Sequence, residues 1–206
     1  MMSLQCLGYR IRGNGLLTIA INKRLKRALG NSHDCGEMMS SKGEVKIHIV
    51  DIEKPADVQF ICGQGNFSIF STDNMFRTFQ TTLPPGVKVG VAMNEAAPRL
   101  VRVTANDTEL ERLAAEAALA IGASHVWVAM MRGAFPINVL NALKQNLGVC
   151  TVFVATANPC QMIVAETKLG RAVLGVVDGT SVTKIENEKE REERRALVRK
   201  LGYVLG

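Results

Sequence analysis

The stretch that decides the fold is residues 106–131, NDTELERLAAEAALAIGASHVWVAMM. Its first part predicts an amphipathic helix, since Asn106 can cap the helix, Glu109 follows three residues later and Gly122 can end it. The apolar stripe of this helix comprises Leu110, Leu113, Ala114, Ala117 and Ala118. The run Val126–Met131 is apolar throughout, which is typical of a central strand buried on both faces. Residues 106–131 therefore predict a helix packed on a buried sheet.

The same kinds of signal continue along the chain on both sides of this stretch. Val45, Ile47 and Ile49 alternate with other residues, which predicts a half-buried strand with His48 on its solvent face. Further strands are expected at 58–62, 87–93, 100–104, 150–155, 161–166 and 172–177, with helices after Ser71, from Pro136 and at 186–201. This order of hairpins and crossovers predicts an α+β fold, a single domain with a mixed β-sheet covered by helices.

The chain divides into two parts of different composition. Residues 1–44 form a basic N-terminal extension, in which seven Lys and Arg against three acidic residues give +4 of the total charge of +6. We expect this extension to be flexible or a mis-called gene start, because Met38-Met39 directly precedes the first regular strand pattern. Residues 45–206 form the domain and carry only +2, so their charge gives no reason to expect nucleic acid as a partner.

Cysteine and histidine usage bounds the compartment and the metal chemistry. The five cysteines include no Cys-x-x-Cys pair, and Cys62 and Cys150 lie in apolar runs that predict buried thiols. This pattern is typical of a reducing compartment, so we expect the cytoplasm. The three histidines are far apart and none has ligand spacing to a cysteine, so no metal site is predicted. No apolar run approaches the roughly 20 residues of a membrane helix, so no membrane partner is expected.

Three apolar runs end in small, polar or turn-forming residues within the stretch 134–179. They are AFPINVLN (134–141), ATANP (155–159) and GVVDG (175–179). Small residues let a ligand approach the backbone, and Asn and Thr offer hydrogen bonds without charge, which suits a neutral ligand such as a nucleoside. The candidate substrate-binding residues are Asn138, Asn141, Thr156, Asn158, Asp178 and Gly179. A solvated helix face and ordinary Asn-Pro and Asp-Gly turns are the alternatives.

Two further candidates carry phosphate or proton chemistry. The loop Gly63-Gln64-Gly65-Asn66-Phe67-Ser68 lies between a strand and a helix, where backbone N–H groups can bind a phosphate. It lacks the third glycine of a dinucleotide-binding motif, so a tight turn is the alternative. His125 opens the buried strand after Gly-Ala-Ser and can act as a catalytic base or phosphoryl acceptor. A core histidine bonded to the backbone is the alternative.

From about Val45 to Leu205 the sequence resembles the adenosine-specific kinase family. The resemblance rests on short strings that are rarely seen elsewhere. They are VDIEKP (50–55), GQGNF (63–67), RLVR (99–102), ND (106–107), GASH (122–125), AFPINVLNAL (134–143), ATANP (155–159), VAET (164–167) and LGVVDG (174–179).

The resemblance implies one α+β domain that binds adenosine and AMP and uses a phosphorylatable histidine. Members of the family commonly read Gly-Gln-x-His-Phe where this chain has Asn66. If that missing histidine carries the phosphoryl group, this chain binds ligand without catalysis. If the carrier is the histidine that matches His125, the chemistry survives.

We therefore expect a phosphotransferase that acts on the 5′-hydroxyl of adenosine, and we expect the chain to form a homo-oligomer. The alternative is a non-enzymatic adenosine or AMP sensor. The sequence identifies no cofactor. It also contains no Walker motif, so the phosphoryl donor stays open.

Overall fold

The computed structural model describes residues 43–66 and 70–203. The predicted N-terminal extension lies almost wholly outside these residues, as do Phe67 and Ser68 of the predicted phosphate loop. The strands are β1 (Lys46–Asp51), β2 (Gln59–Gly65), β3 (Lys88–Asn94), β4 (Val101–Ala105), β5 (Val126–Arg132), β6 (Val149–Thr156), β7 (Cys160–Glu166) and β8 (Arg171–Asp178). The helices are α1 (Thr72–Thr82), α2 (Thr108–Ile121), α3 (Leu140–Gln145) and α4 (Glu188–Lys200), with a 3-10 turn at Pro136–Asn138.

The fold is α+β, as the sequence predicts. In the described residues the strands form two sheets, a five-stranded sheet in the order β4-β3-β5-β2-β6 and a three-stranded sheet in the order β1-β7-β8. The sequence predicts one mixed sheet, whereas every pairing between the described strands is antiparallel. Each described strand therefore lies beside strands that run in the opposite direction.

Helices and strands cover both faces of the five-stranded sheet. On one face, α1 and α3 pack through Met75, Phe79 and Leu143 against residues such as Trp127 of β5. On the other face, α2 and the three-stranded sheet share a larger hydrophobic cluster. Strand β5, which the sequence predicts to be buried on both faces, is fully buried from Val126 to Met131.

Helix α2 confirms the predicted apolar stripe and the C-terminal glycine, but its cap lies one residue later than predicted. The N-cap is Asp107, whose side chain accepts hydrogen bonds from the N–H groups of Glu109 and Leu110. Asn106 instead bonds to the start of β3. Its side chain accepts a hydrogen bond from Val89 N in the strand and donates one to Val87 O just before it. Both residues are good N-caps, and the contact with β3 decides between them.

The predicted orientation of β1 is wrong. Ile47 and Ile49 face outward and are 46% and 66% exposed, whereas His48 and Val50 face inward and are half-buried. Alternation shows that a strand has two unlike faces, but burial depends on which face packs against the rest of the protein. Here Val50 packs against the larger cluster.

Three other expectations are corrected at the edges of the fold. The helix predicted from Pro136 divides into the 3-10 turn and the short helix α3, with Val139 between them. Cys150 is exposed rather than buried, because it lies on the edge strand β6. For helix α4 the sequence also predicts docking through Leu197, Val198 and Leu201, but no residue of the helix is buried, and Leu197 and Leu201 are 56% and 50% exposed.

Candidate functional site

The predicted site residues lie mainly at two opposite ends of the five-stranded sheet. Because β2 and β5 are antiparallel, the end of β2 meets the start of β5, with Gln64 opposite Val126. The start of β2 meets the end of β6, with Phe60 opposite Thr156. Strand β2 has seven residues, which separates the two ends by about 20 Å. We call them the histidine end (Gln64, Gly65, Asn66, Ser124, His125) and the lysine end (Lys54, Thr156, Asn158, Asp178, Gly179).

At the histidine end, backbone hydrogen bonds bring the predicted loop and the predicted catalytic residue together. The N–H of Gly65 donates to the carbonyl of His125 at 2.9 Å, and the side chain of Gln64 donates to the carbonyl of Ser124 at 3.1 Å. The N–H of Asn66 donates to Gly148 O at 2.8 Å. The sequence could not show this pairing, because Gln64 and Ser124 are 60 positions apart, as are Gly65 and His125.

Asn94 holds His125 in place, and sequence reasoning missed it. Its carbonyl accepts the His125 N–H at 2.8 Å. Its buried side chain donates to Ala118 O at 2.8 Å and to Ala123 O at 3.0 Å, which ties the end of α2 to the turn before β5. A buried amide at the end of an apolar strand was the available signal, because buried polar groups need partners.

The backbone of His125 has an unusual conformation. Its φ is +59°, in the left-handed region that most side chains avoid. Such strain persists only where the surrounding structure imposes it, and it is concentrated at functional sites. Main-chain hydrogen bonds to Asn94 and Gly65 hold the backbone of this half-buried residue in that conformation.

At the lysine end, three of the predicted binding residues form one hydrogen-bonded group. Asp178 Oδ1 accepts from Thr156 Oγ1 at 2.7 Å and from Asn158 Nδ2 at 3.0 Å. The backbone N–H of Asn158 donates to Thr156 Oγ1 at 2.9 Å, and Gly179 N donates to Pro159 O at 2.9 Å. A cavity of about 620 Å³ lies beside this group and is lined by Asn158 and Gly179.

Lys54 is the charged residue of the lysine end, and the sequence analysis did not single it out as a site residue. Its Nζ donates to Val58 O at 2.8 Å and to Ala157 O at 2.6 Å, and the residue lines the cavity. Burial lowers the pKa of Lys54, while the neighbouring Cys160 and Asp178 act in the opposite direction. An ammonium has three N–H donors, so one remains for a ligand.

The thiol beside Lys54 is not an activated nucleophile. Burial raises the pKa of Cys160 to about 11, against the effect of the nearby Lys54 ammonium. A cysteine reacts as its thiolate, so a raised pKa makes the thiol unreactive. The lysine end is therefore suited to binding a ligand with hydroxyl or amide groups rather than to cysteine chemistry.

The other three predicted residues lie at neither end, and Gly63 is buried within β2 opposite Trp127. Asn138 and Asn141 are exposed. The side chain of Asn138 accepts from Phe135 N at 2.9 Å and so caps the 3-10 turn. This contact is local, and no described side-chain contact of Asn138 or Asn141 reaches either end of the sheet.

A second cavity of about 390 Å³ adjoins the histidine end. It lies between the β3–β4 connection, the end of α2 and the β7–β8 hairpin, and Asn94 and Ser124 line it. Within the described part of the chain, no group of three His, Cys, Asp or Glu is arranged to hold a metal ion. In the same residues, no helix is long and apolar enough to cross a membrane.

The described residues form a small antiparallel α+β fold with two cavities near polar strand ends. The sequence profile described as adenosine specific kinase matches residues 50–204, so the chain belongs to that family. The predicted resemblance is thereby confirmed. The chain is also similar to the PH1918 protein from Pyrococcus horikoshii OT3, with 54% identity and a TM-score of 0.75 to its crystal structure over 79% of this chain and 99% of that one. No curated protein matches the sequence.

Proposed function

We propose that this protein binds adenosine and AMP and transfers a phosphoryl group to the 5′-hydroxyl of adenosine, with His125 as the catalytic residue. Membership of the adenosine specific kinase family supports the substrate. The observation that carries the assignment is the placement of His125, whose strained backbone is bonded to both Asn94 and Gly65.

The proposed chemistry uses the imidazole in one of two ways. As a base, His125 takes the proton of the 5′-hydroxyl while the 5′-oxygen forms a bond to phosphorus and the bond between phosphorus and the donor breaks. As a carrier, an imidazole nitrogen first forms the bond to phosphorus while the bond between phosphorus and the donor breaks. The 5′-oxygen then bonds to phosphorus as the N–P bond breaks, and the hydroxyl proton passes to the released imidazole nitrogen. In both cases Gln64 and the backbone around Gly65 position the reacting groups.

The position of Asn66 is compatible with both routes. The resemblance to the family implies a histidine at this position, and Asn66 directly follows Gly65, whose N–H donates to the carbonyl of His125. A histidine at position 66 and His125 would therefore flank the same point at the end of β2. A chain that lacks the first imidazole keeps the second within the same site.

The second candidate is a non-enzymatic adenosine or AMP sensor that uses the lysine end. The observation that favours it is the larger cavity, which is lined by Asn158 and Gly179 beside the Asp178 carboxylate. Its volume is within the usual range for small-molecule sites. Carboxylate, amide and ammonium groups can together recognise ribose hydroxyls and ring nitrogens.

One experiment separates the two functions. Binding of adenosine is measured by calorimetry, and transfer is measured with labelled phosphoryl donors, for wild type, His125→Asn and Asp178→Asn. Loss of transfer with retained binding in His125→Asn supports the enzyme. Adenosine binding without transfer in wild type, abolished by Asp178→Asn, supports the sensor. Absence of adenosine binding in wild type contradicts both.

We also propose that the protein forms a homo-oligomer, and the apolar outer face of the three-stranded sheet supports this. Ile47 and Ile49 pair with Ala165 and Ile163 on this face. Exposed apolar faces of this kind usually mark interaction surfaces.

The pattern of free cysteines supports the cytoplasm as the compartment.

The test of the oligomer is the mass in solution by light scattering. Ile49→Lys places a charge on the outer face and should yield a smaller species, whereas Leu147→Lys, at an 86% exposed site elsewhere, should not. A wild-type protein that is monomeric at all concentrations refutes the proposal.

A further inference from the structure

The cavity beside the histidine end contains two cations that lack a carboxylate partner. Arg99, Lys168 and Arg171 line it together with Glu95 and Glu166. Each of these carboxylates is already paired with an arginine. Glu95 accepts a hydrogen bond from Arg102 Nε at 2.9 Å, and Glu166 accepts one from Arg171 Nε at 2.7 Å.

Arg99 and Lys168 have no ion pair or hydrogen bond through their side chains to residues 43–66 and 70–203. Two cations that line one cavity repel each other, so an anion that binds between them is stabilised by both. The carboxylates do not cancel this effect. The pKa of Glu166 is lowered chiefly by the hydrogen bond from Arg171, so its charge is present but compensated.

The end of α2 is the opposing influence, because the C-terminus of a helix is partly negative. Two of its last four carbonyls, those of Ala118 and Ala120, are hydrogen-bonded, however. Asn94 donates to Ala118 O and Ala123 O, and Arg171 lies 3.4 Å from Ala120 O. The free cationic side chains therefore determine the charge that this cavity prefers.

The backbone of Arg99 gives an independent indication of function. Its φ is +67°, in the left-handed region where glycine or asparagine would be less strained. An arginine held in this conformation at a cavity wall is a strained residue of the kind that occurs at ligand sites.

The cavity also adjoins the reacting group. Ser124, which precedes His125, and Asn94, whose carbonyl binds the His125 N–H at 2.8 Å, both line it. We propose that this cavity binds the phosphate group of a phosphorylated ligand through Arg99 and Lys168, with Arg171 as a paired neighbour. This inference rests on the proposed function in identifying the anion as a phosphate.

The test compares ligands with and without a phosphate. Calorimetry is performed with adenosine, AMP, ATP and inorganic phosphate on wild type and on a double variant, Arg99→Gly with Lys168→Gln. Glycine suits the backbone at position 99, so the melting temperature should be unchanged or higher. The matched control is Arg77→Gln with Lys144→Gln, which removes the same charge from exposed positions on α1 and α3.

The double variant should bind AMP at least about tenfold more weakly, since charge-assisted hydrogen bonds are lost, while its affinity for adenosine changes less than twofold. The control should keep both affinities. If wild type binds inorganic phosphate and the double variant does not, the cavity recognises phosphate alone. If the double variant loses AMP binding but keeps ATP binding, the cavity is a monophosphate site. Wild-type affinity for AMP should also fall as salt is raised.

Unchanged AMP affinity in a folded double variant overturns the inference, as does AMP affinity that is insensitive to salt. The outcome for the proposed function is separate. If phosphate binding depends on Arg99 and Lys168 but no donor supports transfer, the anion site stands and the phosphotransferase is rejected. If transfer occurs at the wild-type rate in the double variant, the enzyme stands and the anion site is rejected.

Discussion

His125→Asn is the substitution that best isolates the imidazole from the backbone around it. The residue has φ +59°, and asparagine adopts the left-handed region more readily than other non-glycine residues. Its backbone hydrogen bonds to Asn94 and Gly65 use main-chain atoms, so they survive the change. The variant therefore removes the base or phosphoryl carrier while the turn that presents it is retained.

A pair of companion variants gives the scale of the stability effect. His125→Gly relieves the left-handed strain, whereas His125→Val places a β-branched residue there, which we expect to cost about 1–3 kcal/mol. In a protein of this size that corresponds to a fall of roughly 2–12 °C in melting temperature. The melting temperature of His125→Asn should stay within a few degrees of wild type, because the imidazole is only half-buried.

The rate of phosphoryl transfer should fall in all three variants by about 10²-fold or more, as expected for loss of a positioned acid–base group. The assay is transfer of a labelled phosphoryl group to adenosine, with adenosine affinity measured on the same preparations. Binding should stay intact in the asparagine variant. A stable His125→Asn protein with full transfer activity refutes the catalytic role. Equal loss of stability, binding and transfer in that variant would instead show a structural histidine.

Three further changes test other parts of the structure. Gly63→Ala should destabilise by about 1–3 kcal/mol or more in chemical denaturation, because the added Cβ would overlap the backbone of β6 and an indole ring, whereas Gly175→Ala meets nothing and should be neutral. Arg132→Gln should lower stability at neutral pH only. The hydrogen bond from Arg132 lowers the pKa of Asp57 in the folded state. The ion pair therefore stabilises the fold above the pKa of Asp57 in the unfolded chain, about 4, and this stabilisation is lost as the pH falls through the lower pKa of the folded state. Denaturation curves that keep their difference in acid would contradict this. Asn66→His should raise transfer activity if position 66 can carry the phosphoryl group, and unchanged activity would exclude that route.

The elements of this fold were predictable where local signals agree with one another. Helix α2 carries a cap, an apolar stripe and a terminal glycine in one segment, and β5 is apolar throughout. Both exist as predicted because each is specified by residues close together in the chain. The cap of α2 moved by one residue because Asn106 is needed to bond β3, a contact that no local pattern contains.

The orientation of β1 was not predictable, and the reason also explains its outer face. Ile47 and Ile49 form an apolar face, and the prediction assumed that an apolar face is buried within the chain. The face that packs inward is the one with His48 and Val50. The described chain leaves this apolar face exposed, and the proposed oligomer would cover it.

The site was predictable residue by residue but not as an arrangement. The sequence grouped polar strand ends because they lie near one another along the chain, yet pairing of β2 with β5 and β6 decides where they go in space. That pairing joins residues more than 60 positions apart, for which the sequence carries no local signal. Lys54 was missed as a site residue for the same reason, since its carbonyl partner Ala157 is 103 positions away.

The separation of the two ends restricts how the family's activity can be performed by one chain. Reacting atoms must approach to about 3–3.5 Å, whereas the ends of β2 are about 20 Å apart. Adenosine bound at the lysine end therefore cannot receive a phosphoryl group from His125 of the same chain. If His125 is catalytic, the nucleoside that reacts binds at the histidine end, beside Arg99 and Lys168. The larger cavity at Lys54 then has a separate ligand or a regulatory role, and variants at Asp178 should alter binding there without altering the transfer step itself.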